Sequence, residues 1–117
     1  PRLPEILCDP TSFGEVLRNL LDNAFDATSA GGSVFIRGYR KNRTGFALSV
    51  RDTGRGISAP DREQLFRPFF TTKDKGMGLG LPFIKRVMDT CGGKVEVQSR
   101  VGKGSLFRLI FNYRERE

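Results

Sequence analysis

The chain has 117 residues, 38% hydrophobic and 28% charged, which is enough for one hydrophobic core but not for two. Its net charge of +7 permits an anionic ligand or partner, while the absence of histidine excludes a phosphoacceptor histidine, a histidine general base and a histidine-based metal site within these residues. No apolar run approaches the roughly 20 residues that a membrane-spanning helix needs.

The first predicted elements are a short edge strand and a long helix. The strand covers Pro4 to Cys8. Asp9 is a good N-cap and Pro10 suits the first helical position, so the helix begins here. It is expected to end near Ala30, where Gly31 and Gly32 supply a C-cap. One face is apolar at the helical period and belongs to the core: Phe13, Val16, Leu17, Leu20, Leu21 and Ala24.

A β-hairpin follows the helix. Its strands, Ser33 to Arg40 and Phe46 to Asp52, are rich in Val, Ile, Leu and Phe, and a turn-like segment from Lys41 to Gly45 separates them. Basic residues crowd into this hairpin with few aromatic residues among them, so they are interpreted as a solvated turn rather than a nucleic-acid site. These residues are Arg37, Arg40, Lys41 and Arg43.

The second half of the chain is punctuated by glycine and proline before it returns to regular elements. There is room for a short helix around Asp61 to Phe66, and a longer helix spans Leu79 to Cys91, with Pro82 tolerated in its first turn. Two strands close the chain, Lys94 to Ser99 and Ser105 to Tyr113. This order predicts an antiparallel or mixed sheet covered by helices on one face.

Two asparagines lie one turn apart on the first helix, at the margin of its apolar stripe. Asn19 and Asn23 are therefore expected to be half-buried. Amide side chains can bind phosphate oxygens or hold a hard cation without adding negative charge. Capping or cross-linking of neighbouring backbone explains the same pair equally well from this helix alone.

A carboxylate and two glycines mark the end of the first hairpin. Asp52 ends a strand and is followed by Gly54 and Gly56. A carboxylate there can accept a hydrogen bond from an exocyclic amine, and the glycines let the backbone approach a flat ligand. A tight turn with a solvated aspartate has the same sequence, so this motif is weak on its own.

Alternating glycines precede the second long helix. Gly76, Gly78 and Gly80 leave backbone N–H groups accessible, and the first turn of the helix adds unpaired N–H groups at the positive end of its dipole. Lys73 and Lys75 add positive charge, so the segment is interpreted as a mobile phosphate-binding lid. The GxGxG spacing matches neither the Walker pattern nor the dinucleotide fingerprint, and a plain flexible loop is the alternative.

The two cysteines, Cys8 and Cys91, have neither the number nor the spacing of a disulfide framework or a zinc site. They are interpreted as buried thiols in a reducing compartment, which predicts a cytoplasmic domain without membrane contact. Because the chain starts with Pro1 and shows no signal-peptide pattern, residues 1–117 are expected to be a single-domain fragment of a longer protein.

Taken together and in this order, the motifs resemble the ATP-binding catalytic domain of sensor histidine kinases, in the wider GHKL or Bergerat-fold group. Asn19-Leu-Leu-Asp-Asn23-Ala matches the N box, and Asp52-Thr-Gly-Arg-Gly56 matches the G1 box. Phe66-Arg-Pro-Phe69-Phe70-Thr-Thr-Lys73 matches the F box, and Gly76-Met-Gly78-Leu-Gly80-Leu matches the G2 box. The resemblance covers nearly the whole chain, and four ordered motifs are far more specific than any one of them.

By this resemblance, the fold is an α/β (α+β) two-layer sandwich in which a five-stranded mixed sheet carries three helices on one face. ATP and Mg²⁺ are the implied cofactors, held beside a short lid of the kind found in nitrogen-regulation and oxygen-sensing kinases. The implied reaction transfers the γ-phosphoryl group to a histidine on a separate dimerisation domain, which in turn serves a response regulator. The isolated domain is expected to be a monomer, and the resemblance leaves membrane anchoring of the full-length protein open.

The resemblance also implies roles for individual residues. Asn23 would bind Mg²⁺, Asn19 would assist it, and Lys73 would share the catalytic role with Asn19. Asp52 would accept a hydrogen bond from the adenine amino group, and Ser105 would support the adenine site from the adjacent strand. The other implied ATP contacts are Gly54, Gly56, Ile57, Thr72, Gly76, Met77, Gly78, Leu79, Gly80 and Leu81, while Phe66, Phe69 and Phe70 would pack the lid.

Two positions depart from the family pattern. Asp26 stands where many members carry a basic residue that can touch phosphate. Lys73 or Lys75 is the expected substitute for that missing positive charge. Arg67 stands where related short-lid kinases often have glutamate, so the resemblance leaves its role open.

Three other functions compete with that of a histidine kinase. An ATPase of the gyrase or mismatch-repair kind carries glutamate at the position of Asn19 to activate water, and an amide cannot deprotonate water. A protein-serine kinase of the anti-sigma kind differs only in its acceptor domain. A basic interaction module with a degenerate nucleotide pocket would keep the fold without the activity.

Overall fold

Strands and helices alternate along the described part of the chain, which covers residues 4–6, 8–70 and 80–115 of a computed structural model. Side chains are described over residues 8–70 and 80–112. In chain order the elements are β1 (Pro4–Ile6), α1 (Pro10–Ala27), β2 (Val34–Arg40), β3 (Gly45–Asp52), α2 (Ala59–Arg62), α3 (Gly80–Thr90), β4 (Lys94–Arg100) and β5 (Gly104–Glu115). The predicted two-layer fold of a sheet and helices is confirmed.

β5 is the central strand of a five-stranded sheet. It pairs with β3 along one edge, and β3 pairs in turn with β2. Along its other edge, β5 pairs with β4 over residues 104–110 and with β1 over residues 113–115. All pairings among the described strands are antiparallel, so the mixed sheet implied by the resemblance is wrong in that detail. Short turns join β2 to β3 and β4 to β5, and such turns permit only antiparallel pairing.

The start of α1 agrees with the prediction. The side chain of Asp9 accepts the backbone N–H of Ser12 at 2.9 Å, and Pro10 occupies the first turn. This hydrogen bond keeps the pKa of Asp9 below its ordinary value of 3.8. The capping carboxylate therefore stays ionised until the solution is distinctly acidic.

The end of α1 differs from the prediction. The expected glycine C-cap at residues 31–32 is wrong, because the helix ends at Ala27 and Thr28 is extended. The hydroxyl of Thr28 donates to the carbonyl of Ala24 at 2.6 Å. The carbonyl of Ala27 accepts the backbone N–H of Arg55 at 3.1 Å, so a tertiary hydrogen bond ends the helix instead of a glycine.

The other boundaries agree closely with the sequence, with one exception. The four longer strands begin or end within two residues of their predicted limits, and α3 spans Gly80–Thr90. The short helix α2 begins earlier than expected, because Ser58 caps it by accepting the N–H of Asp61 at 3.3 Å. None of the helices in the described residues is both long enough and apolar enough to cross a membrane.

The basic hairpin turn is solvated, as the sequence predicts. The backbone N–H groups of Lys41 and Asn42 donate to the carbonyl of Gly45 at 2.8 and 3.3 Å, which closes the turn between β2 and β3. The side chain of Asn42 accepts the N–H of Thr44 at 3.0 Å. The clustered basic residues are all exposed: Arg37, Arg40, Lys41 and Arg43.

α1 and α3 pack together against β3, β4 and β5 and enclose the core. Every second residue of a strand lies on the same face of the sheet. Leu48 and Val50 therefore share one face, where Leu48 lies opposite Leu109 and Val50 lies opposite Phe107. The helices contribute residues that are at most 8% exposed: Val16, Leu20, Ala24, Ile84, Val87 and Met88. The predicted apolar face of α1 is thus confirmed, with Phe13 and Leu21 partly buried against the core.

Replacing Leu20, which is 1% exposed, with alanine leaves a cavity between α1 and the sheet. We expect Leu20→Ala to lower the free energy of unfolding by about 2–5 kcal/mol, measured by urea denaturation. Phe25 on the same helix is 61% exposed and provides the matched control. Phe25→Ala should change the free energy by no more than about 0.5 kcal/mol, and an equal loss in both variants would contradict the packing of α1.

Protonation of Asp9 should weaken the N-cap of α1. Because its pKa is depressed in the folded state, its contribution to stability is complete above pH 3.8 and is lost as the pH falls through the folded-state pKa. An asparagine at this position would cap the helix without titrating, so Asp9→Asn should show a smaller loss of stability than the wild type as the pH falls below about 4. Identical pH profiles from urea denaturation of the two proteins would rule out this role.

Candidate functional site

Asn19, Asn23 and Ala27 form a line along one edge of α1. Residues four positions apart lie on the same side of a helix, one turn from each other. Both asparagines are half-buried, as the sequence predicts. Gly80, the first residue of α3, lies beside Asn19: a Cβ atom on Gly80 would stand 3.5 Å from both Cγ and Oδ1 of Asn19. The N-terminus of α3, with its unpaired N–H groups, therefore lies at the Asn19 end of this edge.

The loop that follows β3 lies at the other end of the same edge. A Cβ atom on Gly54 would stand 2.2 Å from the carbonyl oxygen of Ala27, which also accepts the backbone N–H of Arg55 at 3.1 Å. The guanidinium of Arg55 donates to the carbonyl of Asp26 at 3.1 Å. At a rise of 1.5 Å per residue, Asn19 and Ala27 are about 12 Å apart along the helix. α1 thus connects the predicted N box, G1 box and G2 box.

Asp52 is a buried carboxylate at the end of β3. Its side chain is 4% exposed, and Oδ1 accepts the backbone N–H of Gly54 at 2.9 Å. Oδ2 has no hydrogen-bond donor within the part of the chain that the structure describes. In a side chain so largely removed from water, an oxygen without a protein donor is suited to accept a donor from a ligand.

A chain of hydroxyl groups ties the loop after β3 to the hairpin of β4 and β5. Oγ of Ser99 accepts the backbone N–H of Ile57 at 2.7 Å and donates to the carbonyl of Gly104 at 3.0 Å. Oγ of Ser105 lies 2.8 Å from Oγ of Ser99, and Ser105 is the donor because the single proton of Ser99 is already used. Ser105 is 5% exposed and lies opposite Asp52 in the sheet, and its implied support of an adenine site stays a prediction.

The glycines of the G1 box are required by the protein's own backbone. A Cβ atom on Gly56 would stand 1.9 Å from the carbonyl oxygen of Arg100, and Gly56 has a φ of +74°. The backbone N–H of Gly102 donates to the carbonyl of Arg55 at 2.8 Å, which holds the loop against the β4–β5 turn. The sequence suggested that these glycines make room for a flat ligand, whereas the close neighbours in the described chain are the backbones of α1 and of this turn.

The predicted phosphate-binding lid lies largely outside the described residues. This applies to Thr72, Lys73, Lys75, Gly76, Met77, Gly78 and Leu79, whose roles stay predictions. Gly80 and Leu81 are described and form the start of α3, where Leu81 packs partly against the core. The described part of the G2 box therefore agrees with a loop that leads directly into a helix N-terminus.

The F box is only partly packed. Phe66 and Phe70 lie against the hydrophobic core, as expected for residues that anchor a lid. Phe69 is instead 70% exposed and has a φ of 67°, a left-handed backbone conformation that is unusual for a bulky residue. Phe69 therefore does not pack against the described residues, and its predicted role in the lid stays a prediction.

Sequence reasoning missed two residues that shape the site. Ser99 was predicted only as a strand residue, although the predicted β4–β5 hairpin already places it opposite Ser105. The sequence assigns no role to Thr53. In the structure its Oγ1 accepts the backbone N–H of Ser33 at 2.9 Å, and this hydrogen bond joins the loop to the start of β2. The hairpin register was a usable signal for Ser99, and no sequence signal identified Thr53.

The sequence model of one family, described as histidine kinase-, DNA gyrase B-, and HSP90-like ATPase, matches residues 8–115. The chain belongs to this ATPase family. The resemblance to sensor histidine kinases is confirmed.

Relatives in sequence are sensor kinases of bacteria. The sensor histidine kinase ZraS of Escherichia coli K12 is 40% identical over 107 residues, which cover 92% of this chain and 23% of that protein. Sporulation kinase E of Bacillus subtilis is 31% identical over 113 residues, which cover 97% of this chain and 15% of that protein. The chain thus spans less than a quarter of the length of these relatives.

Solved structures of the same ATPase family share the fold. The mycobacterial sensor histidine kinase MprB has a TM-score of 0.88 and 28% identity, over 98% of this chain and 79% of that chain. Full-length ShkA in complex with AMPPNP has a TM-score of 0.86 and 31% identity, over 98% of this chain and 24% of that chain. Both likenesses extend over the sheet and both long helices.

Asp52→Asn tests the ATP site at its buried carboxylate. One side-chain oxygen must still accept the N–H of Gly54, so the new NH₂ group would replace Oδ2 and would oppose a ligand donor. We expect the affinity for a fluorescent ATP analogue to fall at least tenfold, which is about 1.4 kcal/mol. Asp89→Asn, at the exposed C-terminal turn of α3, is the control and should bind normally. Unchanged affinity in Asp52→Asn would favour a degenerate nucleotide pocket.

Proposed function

We propose that this chain is the catalytic ATP-binding domain of a two-component sensor histidine kinase, forming one domain of a longer protein. The observation that supports this most directly is the shared edge of α1, which joins the buried Asp52 loop at one end to the N-terminus of α3 at the other. In this proposal a nucleotide lies along that edge. Its base is at the Asp52 end and its phosphates are at the Asn19 end.

The base end of the proposed site is built to recognise adenine. The free Oδ2 of Asp52 would accept a hydrogen bond from the exocyclic amino group. Gly54 and Gly56 keep the loop close to α1 and to the β4–β5 turn, which leaves little freedom for the carboxylate to move. Ser99 and Ser105 hold Ile57 in place beside it. A rigid carboxylate of this kind can favour a base that carries an amino group over one that carries a carbonyl oxygen there.

The phosphate end combines amide side chains with a helix N-terminus. Asn19 lies beside Gly80, so the unpaired N–H groups and the positive dipole end of α3 lie next to the paired amides. Lys73 and the glycine-rich lid are proposed to complete this end. The guanidinium of Arg55 lies at the opposite end of α1 from Asn19, where it donates to the carbonyl of Asp26 beside the position at which many relatives carry a basic residue.

Mg²⁺ is proposed to be held by amide oxygens and by the nucleotide itself. The described residues contain no group of three or more His, Cys, Asp or Glu that could hold a metal ion. The oxygen atoms of Asn23 and Asn19 are hard ligands of the kind Mg²⁺ accepts, and this ion normally keeps waters and phosphate oxygens as its other ligands. When bound, Mg²⁺ would neutralise charge that develops on the transferred phosphoryl group.

The proposed reaction requires an acceptor outside this chain. The sequence has no histidine, so the γ-phosphoryl group must pass to a histidine on a dimerisation domain and from there to a response regulator. In phosphoryl transfer, catalysis comes mainly from positioning and charge neutralisation, which are the tasks that these residues can perform. We propose the cytoplasm as the location of this domain.

ATP hydrolysis is disfavoured as the main function. The edge of α1 presents the amide of Asn19, and an amide cannot act as a general base toward water. Glu15, one turn earlier on α1, is exposed to solvent.

Phosphoryl transfer in trans tests the proposal. The chain is mixed with radiolabelled Mg-ATP and a histidine-bearing dimerisation fragment of a sensor histidine kinase, and the label on the fragment is followed in acid and in base. We expect acid-labile, base-stable phosphate on the fragment. Asn23→Ala should reduce its formation roughly 100-fold or more by removing a charge-stabilising ligand, while Asp89→Asn should leave it unchanged.

The other outcomes of this experiment distinguish the competing functions. Acid-stable label on an added serine substrate would indicate a protein-serine kinase. Release of inorganic phosphate without any acceptor would indicate an ATPase. Normal binding of the ATP analogue with no label on any acceptor would contradict the kinase proposal while leaving the nucleotide site intact.

A further inference from the structure

The two cysteines of the chain meet at a gap in the sheet. β1 pairs with residues 113–115 of β5 and β4 pairs with residues 104–110, so residues 111–112 separate the two strands along this edge. Cys8 follows the end of β1 by two residues, and Cys91 precedes the start of β4 by three. Both cysteines therefore lie where the chain leaves and re-enters the same edge of β5.

The packing of the long helices places the cysteines at the same level. Gly80 of α3 lies beside Asn19 of α1. Cys91 follows Gly80 by eleven residues, and Cys8 precedes Asn19 by eleven residues. At 1.5 Å per residue each cysteine is about 16 Å from that contact. The two helices run in opposite directions, because Phe13 near the start of α1 contacts the ring of Phe111, and Gly92 just after α3 accepts a hydrogen bond from Asn112. The start of α1 and the end of α3 consequently lie side by side.

The two thiols are neighbours, because Ile6 lies opposite Tyr113 of β5 and the carbonyl of Gly92 accepts the side-chain N–H of Asn112 at 3.2 Å. Burial, a hydrogen bond to the Cys91 side chain and the proximity of that side chain raise the pKa of Cys8 to about 12. Both residues pack against the hydrophobic core, and both remain partly accessible to small molecules. Cys8 therefore keeps its proton and is a poor nucleophile, so the first oxidation step is assigned to Cys91.

We propose that Cys8 and Cys91 are a reversible oxidation site, at which a peroxide joins the two sulfur atoms in an intramolecular disulfide. In the first step the Cys91 thiol attacks hydrogen peroxide, the O–O bond breaks, the sulfur is oxidised to a sulfenic acid and one water leaves. In the second step the Cys8 sulfur attacks the sulfenic sulfur, the S–O bond breaks, the S–S bond forms and a second water leaves. Two thiols and one peroxide thus give one disulfide and two waters, and a thiol reductant reverses the change.

The cross-link would tie the start of α1 to the end of α3. These are the ends that lie away from the contact between Asn19 and Gly80, so the disulfide should not displace the nucleotide-binding residues. It would close a long loop of the chain and restrict the unfolded state. Oxidation is therefore expected to stabilise the domain and to leave its affinity for nucleotide unchanged.

The test oxidises the reduced full chain with hydrogen peroxide, blocks remaining thiols with N-ethylmaleimide and measures the intact mass. We expect the monomer to lose two hydrogen atoms, to take up no label and to yield one linked peptide that contains both cysteines. Dithiothreitol should restore labelling of both thiols. Retention of both labels, oxidation of Cys91 to sulfinic acid beside a free Cys8, or disulfide-linked dimers on a non-reducing gel would each overturn the proposal.

Serine variants provide the matched controls. Cys8→Ser and Cys91→Ser each remove one sulfur atom with little change in side-chain volume, so neither can form the intramolecular bond. We expect peroxide to raise the Tm of the wild-type chain. The Tm of both serine variants should not rise. An equal rise in the variants would show that the stabilisation does not come from the cross-link and would contradict the assignment.

Discussion

The contact between the C-terminus of α1 and the loop after β3 is the constraint on which the rest of the structure depends. The carbonyl of Ala27 accepts the backbone N–H of Arg55, and Gly54 approaches the same oxygen so closely that no side chain could be added to it. This contact ends the helix, satisfies a carbonyl that would otherwise be unpaired and fixes the position of Asp52. A residue with a side chain at position 54 would have to move either the helix or the loop.

The loop is held from its other side by the β4–β5 hairpin. Gly56 packs against the carbonyl of Arg100, and Ser99 binds the N–H of Ile57. A helix end, a strand end and a hairpin thus make this end of the site rigid, and it is the end at which we propose that the base binds. The glycine-rich segment before α3 has the composition of a movable element. This division suits an enzyme that must hold the base firmly and still release the phosphates.

Much of this architecture could be predicted because it rests on local interactions. The N-cap at Asp9, the apolar stripe of α1 and the turn at Asn42 are all defined by residues within a few positions of one another. The paired asparagines and the carboxylate of Asp52 were predicted from motif order, and the structure places them along one helix and at its end. The predicted glycine cap failed because a hydrogen bond from distant Arg55 replaced it.

Sequence pattern alone established the elements, the family motifs and the absence of a phosphoacceptor histidine, because each of these depends on residue type and short spacing. Only the tertiary structure decided the pairing of β5 with β1 and β3, the hydrogen bond from Ile57 to Ser99 and the proximity of Cys8 to Cys91. These three depend on strand register and on the direction in which α3 packs against α1. Register and packing are set by the burial of apolar surface between segments far apart in the chain, and no local pattern encodes that pairing.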